Sequence, residues 1–309
     1  MLDLLGNAEK SLLTAVSGID AFASDEAYNL RLNGRSVAKN VTENIKIVPK
    51  SDVPGIDVYV KDNTKGEQLH IPVIISESGV KETVFNDFHI GKNCDIVIIA
   101  GCGIHNCGKE ESEHSGIHSF YVGEGSKIRY NEKHLGTGDS GSRIMNPTTY
   151  IELAEASYME MDTVQIGGID DTSRKTTALL GKAATLVVKE KILTENSQNA
   201  KTEFTVDLNG ESSGCHVVSR SVAKNRSTQL FISNIRGNSK CSGHTECDAI
   251  VMDDARVSAI PEISANNVDA ALIHEAAIGK IAGEQIIKLM TLGLTEKEAE
   301  EQIINGFMK

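Results

Sequence analysis

Tryptophan is absent from this 309-residue sequence, and aromatic residues make up only 4% of it. A core built on large rings is therefore excluded. The 27 glycines fit small side chains and many tight turns, which inclines the reading towards strands. Long hydrophobic runs are missing too: the densest, Ile96 to Ala100, falls far short of the roughly 18 apolar residues that span a bilayer. Met1 to Gly6 is too short and too acidic for a secretory signal. Basic charge is scarce, 31 Lys and Arg against 43 Asp and Glu for a net −12, so a nucleic-acid backbone finds no overall attraction. These absences point to a cytoplasmic protein with neither nucleic acid nor membrane among its partners. With 40% apolar residues the chain can still bury a sizeable core.

Motifs for the commoner chemistries are also missing. Gly123-Glu-Gly125 and Gly136-Thr-Gly138 lack the Lys-Ser/Thr of a phosphate-binding loop, and there is no nucleophile elbow. Six cysteines (94, 102, 107, 215, 241 and 247) in a large chain without a signal argue against a disulfide framework. Burial, redox chemistry and metal binding remain open to them.

Residues 2 to about 23 place Leu2, Leu5, Leu12, Leu13, Val16, Ile19 and Phe22 near a 3.6 period, predicting an amphipathic helix with a break at Gly6-Asn7. From Ile45 the pattern changes to strands, at 45–48, 56–60, 71–75 and 96–99. Without intervening helices of 10–15 residues, a doubly wound α/β sheet is excluded. A small residue followed by alternating apolar positions recurs at Ser126, Ala156, Ala184, Ala200, Ser227, Ala255 and Ala270, in steps near 15 or twice 15. A fixed coil length explains such steps, so the expected fold is mainly β, a parallel β-helix, with a Greek-key sandwich as the alternative. The tail predicts one helix from Gly283 to Leu292 and a second opened by the capping box Thr295-Glu-Lys-Glu298 and ended at Asn305-Gly306.

Soft and hard ligand types gather between Lys240 and Glu275. Cys247 and Glu275 are 28 residues apart, the same step as Ser227 to Ala255, so a regular repeat would set them side by side on neighbouring coils and bring His274 beside Glu246. Thiolate with imidazole or carboxylate suits iron or zinc. Cys241 joins the same metal only if Gly243 turns the chain, because six extended residues span about 20 Å. A second set, Cys102, Cys107, His114 and His118, approaches a zinc finger but has six residues between the Cys and His pairs where about 12 are usual.

The series Gly243-His-Thr-Glu-Cys-Asp248, Met252-Asp-Asp-Ala-Arg-Val257, Pro261-Glu-Ile263, His274-Glu-Ala276, Gly279-Lys-Ile281 and Gly293-Leu-Thr-Glu296 through Ile304-Asn-Gly-Phe307 resembles the core of the SufB/SufD family of iron–sulfur cluster assembly scaffolds. The ordered match runs from about Ser219 to Phe307. The resemblance implies a right-handed parallel β-helix over residues 31–275, an N-terminal helical segment over 1–30 and a C-terminal helical segment over 276–309. It implies a scaffold, not an enzyme, carrying a transient iron–sulfur cluster. Cys247, His274 and Glu275 match the family's cluster-associated positions, with Cys215 and Cys241 as second-rank candidates. It further implies dimerisation through the β-helix and docking of an ABC-type ATPase on the C-terminal segment, where Lys280, Ile286, Ile287, Met290, Leu294, Ile303 and Phe307 are the expected contact residues. The chain departs from the pattern in lacking a long N-terminal extension and in having Ile273 where an acidic residue is expected. It reads as a compact version in which one subunit type forms a homodimer. The alternatives are a metal-free β-helical adaptor for an ATPase and a zinc-dependent hydrolase using the Cys102 to His118 segment.

Overall fold

The computed structural model describes residues 5–18 and 25–309; Leu2, Ile19 and Phe22 of the N-terminal pattern lie outside them. In chain order the elements begin with α1 (Asn7–Ser17), β1 (Ala27–Leu32), β2 (Arg35–Asn40), β3 (Ile45–Pro49), β4 (Gly55–Val60), β5 (Lys65–His70), β6 (Val73–Ile75) and β7 (Lys81–Ile90). There follow β8 (Asp95–His105), β9 (Ser112–Val122), β10 (Lys127–Thr137), β11 (Arg143–Met145), β12 (Thr148–Leu153), β13 (Tyr158–Ile166) and β14 (Asp171–Leu180). The last are β15 (Thr185–Thr194), β16 (Asn199–Leu208), β17 (Gly214–Ala223), β18 (Thr228–Gly237), β19 (Ser242–Val251), β20 (Arg256–Ala265), β21 (Ala271–Gly279), α2 (Gly283–Thr291) and α3 (Glu296–Phe307).

From β4 onward, the chain alternates between two sheets, with β5 and β6 together in one and β11 and β12 together in the other, and the strands pair in parallel with those one coil away. This is a parallel β-solenoid, as the repeat predicts, and the sandwich alternative is overturned. Small side chains recur because each coil turns through a left-handed corner. Ala156 (φ 55°) and Ala183 (φ 53°) hold such corners, a conformation unfavourable for residues with a Cβ. Each corner N–H bonds to the next coil, Ala156 to the Lys182 carbonyl at 2.9 Å and Ala183 to the Glu211 carbonyl at 2.8 Å, which offsets the strain. The residue that then turns inward has little room: Ser126, Ala184, Ser227 and Ala255 sit there, buried. Two anchors are displaced from that position. Ala156 is the corner itself, with Ser157 turning inward, and Ala200 lies inside β16.

The two ends differ. At the N-terminal end, β2 and β3 are antiparallel edge strands, and α1 packs on the outside of β8 and β10. The glycines of Ala100-Gly-Cys-Gly103 make that packing possible, since a Cβ on Gly101 would stand 2.6 Å from the Val16 carbonyl. Glu9 fixes the helix by accepting the Gly6 N–H at 2.7 Å and the Ser76 hydroxyl at 2.6 Å. At the other end both sheets stop at unpaired strands, β20 and β21, a parallel edge open to further pairing.

The C-terminal helices form close to where the capping signals put them. Thr295 accepts the Glu298 N–H at 3.3 Å while Glu298 accepts the Thr295 N–H at 2.8 Å. One boundary differs: α3 runs through Asn305-Gly306 to Phe307, because its inward face continues past Ile304, which is buried. No helix among the described residues is long and apolar enough to cross a membrane.

Candidate functional site

Inward positions of the last coils carry Cys247 and His274 among the donors singled out in the sequence. Cys247 in the middle of β19 is 1% exposed. Its partner on β21 is Ala276, and His274 pairs with Thr245, Glu275 with Glu246. The step between these two strands is therefore 29, as Ser242↔Ala271 also gives, whereas Gly214↔Ser242 one coil earlier on the same sheet and Thr228↔Arg256 on the opposite sheet give 28. A one-residue slip exchanges the two faces of a strand. Cys247 and Glu275 consequently do not lie side by side: the thiol points inward and the carboxylate outward, with a side chain 65% exposed. Nor does His274 sit beside Glu246. His274 takes the inward position diagonal to Cys247, and outside, His244 Nε2 lies 3.3 Å from Glu275 Oε2, without hydrogen-bond alignment.

The His274 ring is turned into the coil, and neither of its nitrogens has a hydrogen-bond partner; burial lowers its pKa, with His244 acting the same way. Thr245 Oγ1 beside it is also unpartnered. Burial pushes the Cys247 thiol up to about 12, aided by Glu190 and Asp248, so at neutral pH it is a protonated thiol and must lose its proton to bind a metal.

Cys215 and Cys241 occupy a different place. Cys215 pairs with Leu186 and Gly243 in an apolar inward row, and burial raises its pKa to about 12. Cys241 is the inward corner residue before β19, diagonal to Cys215. Because β19 runs unbroken through Gly243, Cys241 does not fold back to Cys247. Among the described residues no group of three His, Cys, Asp or Glu side chains is arranged to hold a metal ion.

A second constellation fills the middle coils. Cys102, His114, His118, Glu132 and His134 gather around one point of the interior. Cys107 stays outside on an exposed loop, its sulfur 3.2 Å from His105 Nε2, so the zinc-finger-like set is divided. Glu82 bridges Arg31 (2.9 Å) and His114 (3.1 Å). Glu132 contacts Arg174, accepts the Tyr130 hydroxyl at 3.0 Å and lies 3.4 Å from His134. Arg174 reaches on to Glu190 at 3.6 Å, and Glu190 accepts hydroxyls from Thr202 (3.0 Å) and Ser219 (2.7 Å).

Charge explains the titration here. Burial would raise the Cys102 thiol, but His114 and His134 beside it bring it down to about 7. Burial would lower His114, yet Cys102 and Glu82 raise it to about 10. Each group thus favours the charged form of the other. Burial holds His118 down to about 4, Glu132 opposing it while His114, His134 and Arg174 act with it. Ser219 shares its inward row with Cys247, so the network ends against the candidate thiol. The network residues His134, Arg174 and Glu190 were missed from the sequence; the signal that could have found them is polar residues recurring at inward positions one coil apart.

The fold is a parallel β-solenoid that ends in an open edge at β20 and β21, with Cys247 facing inward one coil from that edge. Residues 76–307 match the family model described as "SUF system FeS cluster assembly, SufBD core domain", and the chain belongs to that family. It is 26% identical over 302 residues, 92% of this chain and 90% of the relative, to an iron–sulfur cluster assembly SufBD family protein of Pyrococcus horikoshii. A protein of the same description from Methanocaldococcus jannaschii is 28% identical, covering 78% of this chain and 76% of its own. For a Methanothermobacter thermautotrophicus homologue the identity is 29%, and the match spans 58% of the relative's length.

Proposed function

We propose that this chain is a non-enzymatic scaffold on which an iron–sulfur cluster, its cargo, is assembled transiently beside a homodimer interface, in concert with an ABC-type ATPase. The observation that carries this reading is His274: an imidazole turned into the last coil with both nitrogens unpartnered, diagonal to the inward Cys247. A buried polar group without a partner is costly, and a soft metal ion offers the missing bond. Cys247 and His274 are the leading donors. Glu275 stands at the rim, and Cys215 and Cys241 are second-rank because their corner is some four to six residues away along the strand.

Two donors leave coordination to be completed from elsewhere, which supports a second copy across the β20/β21 edge. That edge carries exposed Ile260 and Ile273 on its outer face and Ile263 and Ile278 on its inner one. The ATPase is assigned to the C-terminal segment. α2 buries none of its residues, and Ile287 and Met290 are 62% and 44% exposed. With Lys280, Ile286, Leu294, Ile303 and Phe307 they form the candidate docking surface. Anaerobic reconstitution with ferrous iron and sulfide, with and without the ATPase subunit, tests the reading. A visible charge-transfer band that Cys247→Ala removes is expected. Absence of any cluster, together with full cellular function of a Cys247→Ala/Glu275→Ala double variant, would replace it with a metal-free adaptor role.

A further inference from the structure

Far from these donors, the outer face of the sheet containing β4, β7 and β9 carries an aromatic row. Tyr59, His89 and Tyr121 occupy one register position on those three strands. Their rings stack nearly parallel, with centroids 4.9 and 5.1 Å apart and planes within 11° and 8°. The stack then stops: the next residues in the row are Glu152 on β12 and Leu179 on β14. Because the rings are stacked along the row, the second face of Tyr121 looks towards a carboxylate and, one coil further, an aliphatic side chain. An open groove of about 590 Å³ lies here, lined by His89, Tyr121, Glu152, Leu179 and Asn209 among others.

The groove has a definite chemical preference. Neighbouring acids are matched, Glu124 to Lys92 and Glu155 to Lys182. Glu152 is exposed and is in no ion pair among the described residues, and the groove lining contains no Lys or Arg. A phosphate-bearing ligand would meet an uncompensated carboxylate on a chain of net charge −12. A neutral ring would cover that carboxylate without offering enough donors. A guanidinium satisfies all three walls: its plane stacks on the open tyrosine face, its forked N–H groups pair with the carboxylate, and its methylene stem packs on Leu179.

We propose that this groove is a docking site for an arginine side chain presented by a partner protein, with Tyr121 as the stacking platform and Glu152 as the counter-ion. The test titrates the full chain with the peptide acetyl-Gly-Ser-Arg-Ser-Gly-amide, with its citrulline counterpart, which keeps the shape but not the charge, and with adenosine. Ring resonances of His89 and Tyr121 are followed by NMR. Saturable shifts with the arginine peptide are expected, with citrulline at least about tenfold weaker. Glu152→Gln should weaken the arginine peptide by a similar factor, and Tyr121→Leu should abolish the shift at His89. Both positions are exposed, so unchanged thermal midpoints will confirm that the variants fold. Equal response to citrulline, tighter binding of adenosine, or an unaltered affinity in Glu152→Gln would overturn the proposal.

Discussion

The middle coils and the last coils bury the same kinds of side chain and treat them in opposite ways. In the middle, Glu82, Glu132, Glu190, His114 and His134 each meet a partner of complementary charge or a hydroxyl. In the last coils, Thr245 and His274 face inward with nothing to bond, and the Cys247 thiol is held neutral. A buried network that is satisfied fixes one arrangement; unpaired donors at an open edge leave bonding capacity for a ligand or a second chain. The difference separates a part that holds the solenoid together from a part suited to receive cargo.

The largest break in that contrast is expected from Arg174→Met. Removing the guanidinium breaks both buried ion pairs, leaving Glu132 to His134 and Tyr130 and Glu190 to hydroxyls alone, a change that costs about 3–5 kcal/mol; denaturant titration should show it as a large fall in midpoint. Next comes Cys102→Ala. The native thiolate should give absorbance near 240 nm at pH 8 that the variant lacks. With its pKa lowered to about 7, Cys102 contributes stability that is present above the unfolded thiol value of about 8.5 and is lost as pH falls through 7. His114, raised to about 10, contributes below its unfolded value of about 6.5 and loses that contribution as pH rises through 10. The wild type should therefore lose stability on acidification from pH 8 to pH 6 more steeply than Cys102→Ala, as thermal midpoints across that range will show.

Smaller effects belong to the last coils. His274→Ala removes a ring with no hydrogen bonds, so its cost should stay within about 1 kcal/mol, measured in the same titration, while cluster loading falls. The smallest effect on the last coils is transmitted from the middle network, by Glu190→Gln. Glu190 raises the Cys247 pKa, so neutralising it should lower that pKa and speed alkylation of Cys247 at pH 9, followed by mass spectrometry.

The fold was legible because its corners leave a trace: inward positions too cramped for large side chains produce the small residues at Ser126, Ala184, Ser227 and Ala255. The helical tail was legible through the Thr295 capping box, and the family through ordered motifs from Gly243 to Phe307. What the repeat hid was a step that varies from coil to coil within each sheet. The Ser227 to Ala255 interval spans the pair β18 and β20, with a step of 28, whereas Cys247 and Glu275 stand on the pair β19 and β21, with a step of 29, and a single residue decides which face a side chain takes. The middle network escaped for another reason. Inward Glu132, Arg174 and Glu190 alternate with outward polar residues, so polarity alone does not mark which face is buried, and their partners come from other coils.

The most direct test of the contrast is the iron and sulfide content of anaerobically reconstituted protein, compared between Cys247→Ala and His274→Ala on one side and Cys102→Ala on the other. The two last-coil variants should lose most of the iron and sulfide while Cys102→Ala keeps them. Loss in Cys102→Ala with full loading of Cys247→Ala would contradict it.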